Sequence, residues 1–129
     1  MARSVVLDTS TLLWWTLAPQ KLSKKAVRAL EGTETIIISS ISFWEIGIKT
    51  KRKLIDLGKP IATFFETVET LERVVIHDVS LKIWLASLDL KWDHKDPADR
   101  VIVATAQHLE AQLVSPDAEI KSFFRGSVW

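Results

Sequence analysis

Largely apolar runs of four or five residues recur along the chain and alternate with longer segments of helical periodicity. Such runs, rich in Val, Ile and Leu, indicate buried strands. The predicted strands are residues 4–7, 35–39, 74–77 and 112–115, with a further edge strand over residues 127–129. Apolar strands that alternate with helices are typical of a parallel sheet with helices on both faces. We therefore predict an α/β sandwich with a short, mostly parallel sheet of four or five strands flanked by helices.

Helix start and stop signals fill the intervals between the strands. Ser23 and Gly32 are typical of the two ends of a helix, and Pro60 and Pro97 suit first helical positions. The predicted helices are residues 10–17, 24–31, 42–51, 60–71, 81–88 and 97–109, and a short one that is capped by Ser115 and begins at Pro116. Because no Gly/Ser-rich linker or change of composition interrupts the sequence, we expect a single domain over residues 1–129.

Composition narrows the classes of function. Because there is no cysteine, disulfides, thiol nucleophiles and cysteine-based metal sites are excluded. No apolar run approaches the about 20 residues of a membrane-spanning helix, so we expect a cytoplasmic protein without membrane association. The net charge of +1 argues against a non-specific nucleic-acid coat. Six Trp residues exceed what a small core readily absorbs, so indole surface either meets a partner or replaces Leu in the core.

Four carboxylates lie where apolar runs give way to polar turns or helix starts. They are Asp8, Glu45, Asp99 and Asp117. If the fold gathers them, two carboxylates about 4 Å apart repel by about 4 kcal/mol at an effective dielectric constant of about 20. A divalent cation relieves this repulsion, and oxygen ligands favour Mg²⁺ or Mn²⁺ over zinc. The four acids therefore predict metal-assisted phosphodiester chemistry, with all four as metal ligands and catalytic residues.

Each acid also has a local explanation. Asp8 can cap the helix that follows it. Ser42 and Glu45 have the spacing of a capping box. Asp99 and Asp117 lie in predicted first turns, where the helix dipole favours a carboxylate. Their joint occurrence at strand-to-helix junctions favours the metal, because ligands of open parallel sheets bind beyond the carboxyl ends of the strands.

A phosphatase is one alternative. The stretch Asp8-Thr9-Ser10-Thr11 resembles the Asp-x-Asp-x-Thr motif of aspartyl-phosphate phosphatases, in which Asp8 would be the nucleophile. Ser10 stands in place of the second Asp, which argues against this chemistry. The chain has neither a Gly-rich phosphate loop nor a Gly-x-Ser-x-Gly elbow, so P-loop hydrolysis is excluded and a Ser-His-Asp triad has no support.

A more specific match comes from four segments taken together. The chain resembles PIN-domain ribonucleases, and in particular toxins of the VapC type, nearly from end to end. The segments that carry the resemblance are LDTSTLLWW (7–15), SFWEIGIK (42–49), HKDPADR (94–100) and LVSPD (113–117). Asp8, Glu45 and Asp99 match the three core acids of the family, and Asp117 matches a fourth, more variable one. The resemblance implies a PIN-like α/β/α sandwich, RNA cleavage with Mg²⁺ or Mn²⁺, a cognate antitoxin and a homodimer.

Two positions depart from the family pattern. Ala98 stands where Phe is frequent, which should alter the packing under Asp99 rather than its chemistry. Pro116 stands where a small residue such as Ala is common, so the backbone that carries Asp117 is expected to differ. Asp117 therefore depends more on the resemblance than the other acids do.

With this resemblance we expect an endoribonuclease toxin that cleaves RNA phosphodiester bonds with a metal-activated water. The candidate substrate-binding residues are Arg100 and Lys49, at RNA phosphates, and Ser10 and Ser115, through hydroxyl or backbone contacts. His94, next to the segment of Asp99, is a further candidate to touch substrate. A non-catalytic PIN-fold scaffold that binds only protein or RNA is the remaining alternative.

Overall fold

Five short parallel strands form the sheet at the centre of the fold. The computed structural model describes residues 3–129. The strands are β1 (Ser4–Leu7), β2 (Thr35–Ser39), β3 (Val74–His77), β4 (Gln112–Val114) and β5 (Ser127–Val128), in the spatial order β3-β2-β1-β4-β5. The helices are α1 (Thr9–Leu17), α2 (Lys24–Glu31), α3 (Ser40–Lys51), α4 (Ile61–Glu69), α5 (Leu81–Asp89), α6 (Pro97–His108) and α7 (Ala118–Phe123). Every strand pair is parallel, which confirms the predicted α/β fold.

The register of the central strand brings three strand ends to one edge of the sheet. Leu7 of β1 lies opposite Ile38 of β2 and Val114 of β4. The residues that follow these three positions are all buried, and they are Asp8, Ser39 and Ser115. The carboxyl ends of three neighbouring strands therefore meet beside Asp8, at the edge where open parallel sheets bind ligands.

Helices cover both faces of the sheet. Because side chains of a strand alternate between its faces, Val5 and Leu7 pack with residues from α1 to α4, whereas Val6 packs with residues from α6 and α7. The large, fully buried side chains include Leu12, Ile46 and Phe64 in the first layer and Ile102, Leu113 and Ile120 in the second. Each such side chain contributes roughly 1.5–3 kcal/mol of burial free energy, so the core holds the strand ends rigidly.

Within residues 3–129 the α-helices are six to twelve residues long, and α5 lies apart from the two main layers. It packs on α6 through Ile83, which contacts Val101 and Ala104. The opposite face of α5 carries Leu81, Leu85 and Leu88, and these side chains are exposed. Within residues 3–129, no helix combines the length and the apolar character needed to cross a bilayer.

The start of α3 differs from the prediction. The helix begins at Ser40, and the Ser39 hydroxyl, at the end of β2, accepts a hydrogen bond from the Ile41 backbone N–H at 3.3 Å. The capping box predicted for Ser42 and Glu45 is therefore wrong, because the strand runs into the helix before Ser42. The Ser42 hydroxyl is buried inside the helix instead, and Glu45 has no capping role.

The start of α7 also differs. Asp117 is its N-cap and accepts a hydrogen bond from the Glu119 backbone N–H at 2.8 Å, so the helix begins at Ala118 rather than at Pro116. Ser115 does not cap this helix, because its hydroxyl donates a hydrogen bond to Asp8. α1 starts at Thr9, one residue earlier than predicted. The other predicted boundaries agree with the structure to within two residues.

A pair of Leu→Ala substitutions tests the core. Leu113, in β4, is fully buried, whereas Leu54, after α3, is 67% exposed. We expect Leu113→Ala to lower the free energy of unfolding by about 2–5 kcal/mol, because it removes buried contacts and leaves a cavity. Leu54→Ala should change it by less than about 0.5 kcal/mol. Urea denaturation of both variants measures the difference, and equal losses would contradict the described core.

Candidate active site

Asp8 lies at the centre of the site, at the end of the central strand. Its side chain caps α1, because Oδ1 accepts a hydrogen bond from the Thr11 backbone N–H at 2.9 Å. Oδ2 accepts a hydrogen bond from the Ser115 hydroxyl at 2.5 Å. The residue is only 4% exposed. Burial raises the pKa of Asp8 above its usual range, against the hydrogen bonds of Ser115 and Thr11, and the charge of Asp117 raises it further.

Ser115 links two of the acids. Its hydroxyl donates to Asp8 and accepts a hydrogen bond from the Asp117 backbone N–H at 3.1 Å. The serine is almost completely buried. Its hydroxyl is therefore held between Asp8 and the Asp117 backbone, which argues for orientation of the acids and against the predicted direct contact with substrate.

Asp99 enters the site from the first turn of α6. Its backbone N–H donates to the N-cap Asp96 at 3.2 Å, and its Oδ2 lies 2.8 Å from Nε2 of His94. Burial raises the pKa of Asp99 to about 6, the charges of Asp96 and Asp117 raise it as well, and the hydrogen bond from His94 opposes them. The same hydrogen bond raises the pKa of His94.

Asp117 is the electrostatic link between the two sides of the site. Its negative charge contributes to the raised pKa of both Asp8 and Asp99. The charge of Asp117, which follows β4, thus reaches two of the other predicted acids, Asp8 at the end of β1 and Asp99 on α6.

Glu45 lies on α3, a helix that contacts the residue after Asp8 through Ser42. The Thr9 hydroxyl, next to Asp8, donates to the Ser42 hydroxyl at 3.0 Å. Glu45 is three residues after Ser42, so both lie on one face of the helix. Its side chain is 17% exposed and its Oε2 lies 3.4 Å from Nζ of Lys49. The expected apolar surroundings of Glu45 are only partly present, because Trp44 is exposed.

The structure gives Arg100 partners other than a phosphate. Its guanidinium donates to the backbone carbonyls of Ser87, Leu90, Trp92 and His94. An arginine has five N–H donors, and these bonds occupy most of them. This arrangement argues against the predicted contact of Arg100 with substrate. Lys49 is 41% exposed beside Glu45 and Ser10 is exposed in the first turn of α1, so both stay predictions as substrate contacts.

His94 and Asp96 join the site more closely than the sequence analysis expected. Among residues 3–129, one group of three potential ligands has its donor atoms within 4.8 Å of one another, and it consists of His94, Asp96 and Asp99. The sequence signal for this group is the spacing His94-x-Asp96-x-x-Asp99, which places three potential ligands within six residues. This cluster could hold a metal ion.

The donor set fits a divalent cation. Burial and neighbouring negative charge both disfavour the ionised form of Asp99, and a cation at this edge would reverse that effect. Capping uses only part of each carboxylate, because each oxygen has two lone pairs. The acids can therefore hold their helices and a metal at the same time.

Comparison with known proteins agrees with this geometry. A sequence model of the PIN domain matches residues 5–124 of the chain. The chain is also similar to ribonuclease VapC22 of Mycobacterium tuberculosis, with 29% identity over 119 residues that cover 92% of this chain and 91% of that protein.

Two solved structures share the fold. A chain of a toxin–antitoxin complex from Klebsiella pneumoniae is 23% identical with a TM-score of 0.68, and the match covers 97% of this chain and 96% of that one. VapC20 of Mycobacterium tuberculosis, a toxin that cleaves the sarcin–ricin loop, is 14% identical with a TM-score of 0.68, over 92% of this chain and 93% of that one. Because the family match extends over nearly the whole sequence, the chain belongs to the PIN-domain family.

Proposed function

We propose that this protein is a metal-dependent endoribonuclease that acts as the toxin of a toxin–antitoxin pair. The observation that carries the proposal is the group of Asp8, Asp99 and Asp117 at the carboxyl end of the central strand of a PIN fold, where burial and the charge of Asp117 raise the pKa of both Asp8 and Asp99. The similarity to a protein named ribonuclease VapC22, over nine tenths of both chains, supports RNA as the substrate.

Four acids would hold the cation, namely Asp8, Glu45, Asp99 and Asp117. Oxygen ligands support Mg²⁺ or Mn²⁺, and the imidazole of His94 close to Asp99 is compatible with Mn²⁺. When bound, the cation supplies Lewis-acid polarisation of the phosphodiester and lowers the pKa of water. The donors around the acids are fixed in advance: Ser115 and Thr11 orient Asp8, and His94 orients Asp99.

Basic side chains beside the acids would receive the RNA backbone. Lys49 is one helical turn from Glu45 on α3, and Lys51, Arg52 and Lys53 are exposed where this helix ends. Their positive charge attracts phosphates and makes the affinity fall as salt rises. Lys49 is therefore a candidate phosphate contact beside Glu45.

The two alternatives receive less support. The phosphatase motif has a second Asp where this chain has Ser10, and the family match is to the PIN domain. A non-catalytic scaffold has no need for two acids, Asp8 and Asp99, whose pKa values are raised by burial and by the charge of Asp117. RNA cleavage therefore accounts for the site better than either alternative.

A second copy and an antitoxin are the proposed protein partners. The exposed face of α5 carries Leu81, Leu85 and Leu88, next to the exposed indoles of Trp44 and Trp84. Exposed apolar patches of this kind mark interaction sites. Lys82 and Asp89 lie near opposite ends of α5, so an antiparallel pairing with the same helix of a second copy places opposite charges together. This complementarity supports a homodimer through α5.

The antitoxin has separate support. The Klebsiella pneumoniae structure that shares this fold comes from a toxin–antitoxin complex. A segment with apolar side chains and one basic residue fits the surface near the site, because the base would neutralise the acids while the apolar side chains cover exposed aromatic rings.

Asp8→Asn tests the metal site. We expect RNA cleavage to fall to background, because an amide removes a charge that the cation needs. The fold should persist, since Asn caps helices as well as Asp does and burial disfavours the charged carboxylate. Cleavage of total RNA with end-mapping, in Mg²⁺ and in EDTA, measures the effect. Asp56→Asn, in an exposed loop, is the matched control and should retain activity; activity of Asp8→Asn or of wild type in EDTA contradicts the mechanism.

The pH dependence of stability tests the raised pKa of Asp99. Asp99 binds its proton more tightly in the folded protein, with a pKa of about 6 against 3.8. Its contribution to stability is therefore full below about pH 4 and is lost as the pH rises through about 6. The raised pKa of His94 also makes the folded protein more stable at low pH. This contribution to stability is lost as the pH rises through the pKa that His94 has in the folded protein.

We expect the melting temperature of metal-free wild type, relative to that of Asp99→Asn, to fall between pH 4 and pH 7. Mg²⁺ should restore the wild type at pH 7 and have little effect on Asp99→Asn. Differential scanning fluorimetry in EDTA and in Mg²⁺ measures both effects. A difference between the two proteins that does not change with pH would contradict the raised pKa.

Leu85→Lys tests the homodimer. We expect wild type to sediment as a dimer and Leu85→Lys as a monomer, because a lysine in a self-pairing helix face places like charges opposite each other. Leu54→Lys, at a similarly exposed leucine outside α5, should remain dimeric. A monomeric wild type at micromolar concentration in analytical ultracentrifugation would reject the α5 interface.

A further inference from the structure

The direction of the Asp99 carboxylate depends on a segment without regular structure. Residues 90–96 connect α5 to α6 and form neither helix nor strand. This segment carries His94, whose Nε2 lies 2.8 Å from Oδ2 of Asp99. A loop of this kind holds one conformation only through contacts with other elements of the fold. The position of His94 therefore depends on such contacts.

Arg100 supplies the first set of contacts. Nε donates to the Ser87 carbonyl at 3.0 Å and Nη2 donates to the Leu90 carbonyl at 3.1 Å. Nη1 donates to the carbonyls of Trp92 and His94, the latter at 3.1 Å. One partly buried side chain therefore joins the last turn of α5 to the loop residue that meets Asp99.

Aromatic stacking supplies the second set of contacts. The ring of His94 stacks on Trp92 with centroids 4.6 Å apart and an interplanar angle of 27°. Trp92 stacks in turn on Phe123 of α7 at 4.7 Å and 9°. The helix that follows Asp117 thus supports the loop from the other side, and the His94 ring is held at its face as well as at its backbone.

Asp99 and Arg100 are consecutive residues of α6, so their side chains leave the helix about 100° apart. Arg100 donates hydrogen bonds to carbonyls of the loop, and Asp99 contacts the imidazole of His94 in the same loop. Because both start from the same rigid helical turn, the position of His94 relative to Asp99 is fixed at two points.

We propose that Arg100 is a positioning residue, which holds His94 against Asp99 by binding the carbonyls of the loop, with Trp92 as a second anchor. The proposal rests on the proposed ribonuclease function, in which Asp99 is a metal ligand. It replaces the expected grip on RNA, because most of the N–H groups of the guanidinium already donate to these carbonyls.

Arg100→Lys is the informative variant. It keeps the positive charge, but a single ammonium cannot reproduce the planar set of donors. We expect the ring-proton NMR signals of His94, shifted by the indole of Trp92, to move towards those of free histidine. The signals of His77 and His108 should stay in place and show that the fold persists. On a fluorogenic RNA oligonucleotide that wild type cleaves, kcat should fall about 10- to 100-fold, as for other partners that orient metal ligands, with KM and its salt dependence nearly unchanged.

Two further sets of variants separate positioning from charge and from folding. Trp92→Leu should lower kcat in the same way, whereas Trp92→Phe keeps an aromatic ring and should restore most of the activity. Lys91→Ala removes an exposed positive charge from the same loop. It is the matched control and should leave the His94 signals and kcat unchanged.

The proposal is overturned if the His94 signals of Arg100→Lys coincide with those of wild type. It is also overturned if Arg100→Ala raises KM and reduces the salt dependence while kcat stays constant, because that pattern belongs to a phosphate contact. A wild type that cleaves no RNA would reject the proposed function, and the NMR measurement alone would still decide whether Arg100 holds His94.

Discussion

The concentration of negative charge at the carboxyl end of β1 is the constraint on which the rest of the structure depends. Asp8 is buried there because β1 is the central strand and its neighbours end at the same level. Asp99 comes from α6 and Asp117 follows β4, and burial together with the charge of Asp117 raises the pKa of both Asp8 and Asp99. The apolar layers on both faces hold these groups together although their charges repel. A bound cation would relieve this repulsion.

Local structural roles and the proposed chemistry share the same side chains. Asp8 and Asp117 cap the helices that follow them, and Asp96 caps α6 while it lies within the group of His94 and Asp99. A capping bond fixes the rotamer of a carboxylate and leaves lone pairs for another ligand. The capping roles therefore orient the acids and do not compete with a metal. Helix capping and metal binding are compatible in the same side chain.

Long-range contacts explain where the sequence analysis was wrong. Ser42 has the spacing of a capping box with Glu45, but its hydroxyl accepts a hydrogen bond from the hydroxyl of Thr9, 33 residues away. Ser115 has the position of a helix cap, but its hydroxyl binds Asp8, 107 residues away. Arg100 was expected to contact a phosphate of the RNA. Its guanidinium instead donates hydrogen bonds to backbone carbonyls that precede α6 in the chain. Polar side chains take the partner that the fold supplies, and short-range spacing does not contain that information.

The sequence by itself determined the alternation of strands and helices, the parallel sheet and the positions of the four acids, because apolar periodicity and helix-capping signals are local. Only the tertiary structure decided that Asp117 influences both Asp8 and Asp99, that Ser115 joins two acids, and that Arg100 serves the loop of His94. These relations depend on which strand lies beside which and on the register between them. Hydrogen bonds and charge interactions act over a few ångströms of space, whereas the residues that make them are up to about a hundred positions apart in the chain.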